Sequence, residues 1–371
     1  MEHIFWLEHH PRSINGIIEY LALNDRVYCI CYDDGMFEGR SSMGWTNESI
    51  GGAEFFYLNR ETNVDLFLKK FIASHQEAVN YIMGVRASNI SRFVNKYVFT
   101  RNEARVFMIA ERPYLYGKNI ASKIILKLLY KYLGFKYKDK ITGVFAMGTM
   151  GVEAYKTWAH GNVFPFLYPK FNNVVTTGVS MTNTPDTIRA LYVGQFDRRK
   201  GIDVLLDVFE SLPDNIHLDV VGANGDIKDV VLNRINSMQN VSYVGVWKSN
   251  EVATKSAGYD VCVVPSRYDG WGMYVMEALE AGVGVITTDM TGGKDLVCAS
   301  GAGLVVKSGS VGSLASAFST ICERPAITTE WKKKAVDYKQ RISQYTVGKY
   351  FQQIVSHKNN HDMQIINCPW L

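Results

Sequence analysis

The chain has 371 residues, enough for two ordinary domains, each with its own core. With 47% hydrophobic and 20% charged residues it reads as a soluble globular protein, and no apolar run approaches the roughly 18 residues of a membrane span. The net charge of +4 is modest and no nucleic-acid motif accompanies it, so no nucleic-acid partner is expected.

The start, Met1 to Glu8, reads directly as a strand and lacks a basic n-region and a cleavage site, so no signal peptide is expected. Six cysteines, Cys29, Cys31, Cys262, Cys298, Cys322 and Cys368, show neither CxxC nor Cys/His ligand spacing. Reduced cytoplasmic thiols are the default reading, with Cys29 and Cys31 packing on one face of a strand.

In chain order, Ile4 to Leu7 reads as a strand, and Glu8-His-His-Pro-Arg-Ser-Ile-Asn-Gly16 as a loop. A short helix from Ile17 to Leu23 leads to a strand from Arg26 to Tyr32. Glu54 to Leu58 is the next strand, before a helix from Val64 to Ala73. Ala78 to Met83 and Val106 to Ala110 continue the sheet, with a basic helical segment between them. Thr142 to Ala146, a helix from Val152 to Trp158, and Asn162 to Phe166 close this half. Asn172 to Thr187 is rich in Asn, Thr and Ser without an apolar period, the composition of a linker. Strands then resume at Ala190–Val193, Ile216–Val221, Val241–Val244, Asp260–Val264, Val283–Thr287 and Leu304–Val306. Strands alternating with helices predict two doubly wound α/β domains with parallel sheets. The expected domains are residues 1–172 and 188–355, joined by a tail, 356–371, that belongs with the first. A last helix from Ser343 through Val355 is expected to run back towards the first domain.

Asn119 to Leu133 is a second kind of signal. Lys123, Lys127 and Lys131 stand at four-residue spacing on one face, and apolar residues cover much of the rest. Between Lys118 and Lys140 there are seven lysines and one acid, Asp139, so the segment carries +6. Its apolar arc is wider than one core face needs, which favours a helix lying in the lipid interface over a core helix with a solvated lysine stripe.

The stretch from Val261 to Gly282 carries the chemistry. An apolar run, Val261 to Val264, is stopped by Pro265. Gly270 and Gly272 flank Trp271, and a helical pattern runs from Met273 to Ala281. A strand, a glycine-bearing turn and a helix start make an anion site, because unpaired backbone N–H groups converge there and the helix dipole adds positive potential. Asp269 and Glu277 flank that turn and suit hydroxyls on either side of a phosphate, not the phosphate itself.

These residues resemble the family 4 glycosyltransferases, retaining enzymes of the GT-B fold, in which two Rossmann-like domains face each other across a cleft. The shared signature is an acid, a Gly-aromatic-Gly turn, and a Glu eight positions after the acid; here the first acid is Asp269 where the family usually has Glu. The resemblance implies that Glu277 holds the ribose of a nucleotide-sugar, and that Asp269 with the amides of Gly270, Trp271, Gly272 and Met273 holds the sugar and distal phosphate.

Tyr192-Val-Gly-Gln-Phe-Asp-Arg-Arg-Lys-Gly-Ile202 matches the segment in which a Lys neutralises the departing diphosphate, and Lys200 takes that place. The basic residue after the glycine is replaced by Gln195; Arg199 or Arg198 is the candidate to compensate. Val241-Ser-Tyr-Val-Gly-Val-Trp247 resembles the family segment whose backbone reads the base, which makes Val246 the candidate for that amide contact and Trp247 a candidate wall. Thr291-Gly-Gly-Lys-Asp295 matches a loop near the cleft whose glycines would let the backbone turn sharply. In the first half, Gly16 falls where the family brings an amide to the donor phosphate; Gly51-Gly52-Ala53-Glu54 imitates that motif but precedes a strand. Family members often end the strand before Glu111 with a His, and here Glu111 stands there, either touching sugar hydroxyls or pairing with Arg112. His9 and His10, at the end of the first strand, are ligand contacts or loop histidines.

The activity implied is a retaining transfer from a UDP- or GDP-sugar to a saccharide or lipid-linked acceptor in surface polysaccharide or lipopolysaccharide assembly, at the inner face of the cell membrane. No Asp-x-Asp string occurs, so metal independence is expected and no cofactor beyond the donor. Two rivals stay open: a binding protein of this fold that has lost catalysis, motivated by Gln195, Asp269 and the missing His, and another nucleotide-sugar enzyme such as an epimerase.

Overall fold

The computed structural model describes residues 1–11, 13–35, 50–86, 88–169, 187–357 and 360–371. They gather into two compact units. The first holds the described residues of Met1–Glu38, Asn47–Phe171 and Ser343–Pro369, the second those of Asn172–Ile342 with Trp370–Leu371. The expected linker, Asn172–Thr187, lies outside the described residues except for Thr187.

The first unit is built on a seven-stranded parallel sheet. Its strands are β1 (Glu2–Leu7), β2 (Arg26–Cys31), β3 (Ala53–Tyr57), β4 (Val79–Ile82), β5 (Val106–Ala110), β6 (Gly143–Met147) and β7 (Val163–Phe166), side by side as β3-β2-β1-β4-β5-β6-β7. Every residue of β4, β5 and β6 is buried, as near-continuous apolar runs covered on both faces require. The second unit has a six-stranded parallel sheet: β8 (Ile188–Val193), β9 (Ile216–Val221), β10 (Val241–Gly245), β11 (Val261–Val264), β12 (Gly284–Thr288) and β13 (Gly303–Val306), ordered β10-β9-β8-β11-β12-β13.

Each order reverses once, between β1 and β4 in the first sheet and between β8 and β11 in the second. Right-handed crossovers then place helices on both faces, the doubly wound arrangement expected from the alternation. At the reversal, loops leaving the carboxyl ends of two adjacent strands diverge and open a crevice, the usual ligand position in such sheets.

Two boundaries differ from the sequence reading. The helix expected at Val152–Trp158 is Gly148–Tyr155. Gly148, at φ +63°, turns the chain out of β6 directly into it, so the helix starts and ends earlier than expected. The chain also joins the first unit from Ser343, ahead of the expected tail at 356. The helix Gln344–Ser356 buries Val347, Phe351, Ile354 and Val355, with the Phe351 ring 4.2 Å from that of Phe145 in β6. Its apolar face is what binds it there.

Candidate active site

Because β8 and β11 pair at the reversal, the loops that follow them meet. In the β8 loop, Asp197 caps a turn by accepting the Lys200 N–H at 2.8 Å. Gly201, at φ +73°, leads into the helix Ile202–Phe209, and a Cβ there would lie 2.1 Å from the Pro265 carbonyl oxygen. Any side chain at 201 would therefore push the β8 loop off the β11 loop. Arg267 fastens the two: its N–H donates to the Arg199 carbonyl at 2.7 Å, and its guanidinium donates to both carboxylate oxygens of Asp203 at 2.6 and 2.9 Å.

This closure brings Lys200 and Asp269, 69 residues apart, into an ion pair with Nζ 2.5 Å from Oδ2. Their side chains are 24% and 14% exposed, so both stay reachable from solvent. Arg199 also turns to the β11 loop, donating to the Tyr268 carbonyl at 3.3 Å and to Asp197 at 3.4 Å. Arg198 is exposed and donates its backbone N–H to Asp226. Of the two arginines, Arg199 is the one whose guanidinium lies on the β11 loop.

Gly272, at φ +83°, is the residue before the helix Met273–Glu280, and no side chain caps that helix. The Val275 N–H turns back to the Gly272 carbonyl at 2.9 Å, and the positive end of the helix dipole faces the turn, where it favours an anion. Asp269, Gly270, Trp271 and Gly272 form the turn itself. Trp271 is 1% exposed with its indole N–H unpartnered, and the Ser266 hydroxyl, in the same loop, is buried in the same condition. Glu277 follows one turn into the helix and is buried.

The Thr291–Asp295 loop packs against this turn, but its glycines serve another purpose than the sharp turn expected. Neither Gly292 nor Gly293 is at positive φ. A Cβ on Gly292 would sit 2.3 Å from the Gly270 carbonyl oxygen, and one on Gly293 would sit 2.9 Å from Val275 Cβ. They are glycine so that two backbones can touch: Gly293 donates to the Trp271 carbonyl at 2.5 Å and Gly292 to that of Asp269 at 3.3 Å.

The other expected residues are spread more widely. Gln195 lies in the β8 loop, where its carbonyl accepts the Tyr192 hydroxyl at 2.7 Å. Val246 is exposed just after β10, and the Lys255 ammonium lies 5.3 Å from the Trp247 ring centroid. Gly16 and Glu111 belong to the first unit. Gly16 sits in the first turn of the helix Asn15–Ala22, where a Cβ would lie 2.3 Å from the Pro169 carbonyl oxygen, so close packing already requires its lack of a side chain. Gly51-Gly52 precedes β3, at the end of the strand opposite the ligand edge of a parallel sheet. His9 is bonded to Asp33 at 2.7 Å and His10 to the Tyr57 hydroxyl at 3.0 Å. Glu111 lines a cavity of about 420 Å³ at the reversal of the first sheet, together with Trp6 and Glu8 from the end of β1, Ile82 from β4, Tyr130 from the helix Ile120–Lys136 and Trp158 from the bend after Gly148–Tyr155.

Sequence reasoning passed over Asp197, Asp203 and Arg267. Asp197 had a signal, since an acid three residues before a backbone N–H is N-cap spacing. The Arg267–Asp203 clamp had none, because it depends on which strands are neighbours. Cys29 and Cys31 are buried in β2, as their packing role expects. Burial pushes Cys31 and Cys262 up to about 12, so neither is a thiolate near neutral pH, and all six cysteines are unbridged.

Residues 182–338 match the family model Glycosyl transferases group 1. That match spans 157 of the 371 residues, under half of the chain. It contains the whole β8–β11 site, from Asp197 to Asp295. An uncharacterized glycosyltransferase, MJ1178, of Methanocaldococcus jannaschii is 30% identical over 129 residues, 33% of this chain and 36% of that protein. An uncharacterized 41.2 kDa protein in the cps region of Klebsiella pneumoniae is 31% identical over 105 residues, 28% of each chain. The chain thus matches about a third of the length of these relatives. The chain has the fold of HepE from Anabaena, solved in complex with UDP-glucose, with a TM-score of 0.68 at 15% identity over 96% of this chain and 99% of that one. The fold is GT-B.

Proposed function

We propose that the protein is a retaining, metal-independent glycosyltransferase that moves a sugar from a nucleoside diphosphate sugar, with UDP or GDP as the leaving group, to a saccharide or lipid-linked acceptor in cell-surface polysaccharide or lipopolysaccharide assembly. The observation that carries this reading is the Lys200–Asp269 pair beside the uncapped start of the helix Met273–Glu280. In the reaction, the bond from the anomeric carbon to the diphosphate breaks and negative charge grows on the leaving phosphate. Fixed amides at the helix start and the Lys200 ammonium meet that charge without reorganising. Arg199 supplies the second cation that Gln195 does not, Glu277 takes the ribose hydroxyls, Asp269 the sugar side, and the Val246 amide the base. Glu111, on the cavity of the first unit, is assigned to acceptor hydroxyls. A relative from a cps region and a structural neighbour solved with UDP-glucose support the donor class and the setting. We place that setting at the inner face of the cell membrane.

The test is incubation of the purified protein, in EDTA, with UDP- and GDP-sugars and a polyprenyl-phosphate saccharide acceptor, followed by NMR of the product. Transfer with the donor's anomeric configuration kept supports the reading. Transfer that needs a divalent cation or inverts the anomer removes the corresponding part of it.

A further inference from the structure

Among the described residues, no helix is long and apolar enough to cross a membrane. The helix Ile120–Lys136 nonetheless presents an apolar surface to solvent. Gly134 is its one buried residue, seated under the Trp158 indole. Leu126, Tyr130 and Leu133 are half-buried and turn to the protein, Tyr130 and Leu133 packing on the first unit's core. On the other side Ile120, Ile124, Ile125, Leu128, Tyr132 and Phe135 are between 53% and 80% exposed. At about 100° per residue these six cover an arc of roughly 140°. Lys123 and Lys127 stand outside one edge of that arc, Lys131 just inside the same edge, and Lys136 about 20° beyond the other edge.

We infer that this helix lies flat on an anionic lipid surface, with its apolar arc among the acyl chains near the headgroups and its lysines on lipid phosphates. The charge pattern selects this occupant. Residues 118 to 140 carry seven lysines against Asp139 alone, and Asp139 is bonded to His160 at 2.8 Å. Two copies pairing through this face would bring +6 against +6, whereas anionic headgroups neutralise it. A helix of 17 residues is about 25 Å long, enough to lay several turns in the interface. The same helix lends Tyr130 to the first unit's cavity, so a docked lipid surface would adjoin the place assigned to the acceptor. The docking deepens the membrane setting proposed above and rests on that reading for the nature of the acceptor.

The experiment is flotation of the full-length protein with vesicles of phosphatidylcholine containing 30% phosphatidylglycerol, and with phosphatidylcholine alone. Binding is expected to anionic vesicles, to fall steeply at 0.5 M salt, and to drop on the order of a hundredfold in Lys123→Gln/Lys127→Gln/Lys131→Gln, at about fivefold per lysine. Ile124→Ser/Leu128→Ser, at exposed positions, should keep the wild-type melting temperature and lose flotation. Absence of wild-type flotation overturns the proposal, as does equal flotation of the serine variant. So does a dimer in light scattering that the serine variant abolishes. Thermal stabilisation by nucleoside diphosphates, read on the same samples without vesicles, separates failure of the docking from failure of the glycosyltransferase reading.

Discussion

Asp269→Asn should make the protein bind a nucleoside diphosphate more tightly and transfer sugar more slowly. With Lys200 Nζ 2.5 Å from Asp269 Oδ2, an incoming diphosphate competes with a carboxylate already on its lysine. At an effective dielectric of 20 the gross Coulomb attraction across that distance is about 7 kcal/mol. Desolvation and solvent access offset most of it: for side chains 24% and 14% exposed, a net value of about 1 kcal/mol is reasonable. Asparagine removes the charge and keeps the shape, so the diphosphate should gain about that much, roughly fivefold in Kd. The transfer rate should fall about a hundredfold, because the group assigned to the sugar has lost its charge. Lys200→Ala, by contrast, should weaken both nucleotide binding and transfer. Isothermal titration with the diphosphate and initial rates with its sugar give both numbers. If Asp269→Asn binds the diphosphate no more tightly than wild type, the pair does not compete with the ligand and the placement of Lys200 is wrong.

Glu277→Gln keeps the volume of a buried side chain and removes its charge, so donor KM should rise about tenfold or more, with the melting temperature little changed; steady-state kinetics on donor concentration read this. Gly292→Ala puts a Cβ 2.3 Å from the Gly270 carbonyl oxygen, and should cost about 1–3 kcal/mol in urea unfolding while weakening nucleotide binding. His3 is buried between Tyr81 and Asp25, and burial, outweighing the Asp25 contact, holds its pKa below the ordinary 6.5. The unfolded chain therefore takes up a proton that the fold refuses as pH drops through 6.5, and stability should fall from there down to the folded pKa. Urea midpoints between pH 7.5 and 5.5 should show this slope in wild type and lose it in His3→Gln.

Legibility in the sequence followed the range of the interactions. All thirteen strands among the described residues stand within a few residues of their expected places, because each is a short apolar run bounded by turn residues. The Asp269–Gly272 turn was legible as a helix start with nothing to cap it. That Lys200 meets Asp269 follows from the pairing of β8 with β11, which no local pattern encodes. The glycines at 292 and 293 show the same limit. From the sequence they read as a sharp turn, and the reason they are glycine lies in a strand-end loop some twenty residues earlier. Arg198 and Arg199 are indistinguishable as letters; which guanidinium reaches Tyr268 is fixed by the capped turn at Asp197. The lysine helix was visible as a wide apolar arc, but the choice of Leu126, Tyr130 and Leu133 as its inward side depends on what packs beneath it.

The most direct test of the central claim is thermal stabilisation of wild type and Lys200→Ala by UDP, GDP, ADP and CMP in EDTA. A ligand of the β8–β11 site at a hundredfold excess over its Kd adds about 2.7 kcal/mol to the folded state. The account predicts a rise in melting temperature with UDP or GDP for wild type, and most of that rise lost in Lys200→Ala. No rise with any nucleotide, or the same rise in both proteins, would contradict it.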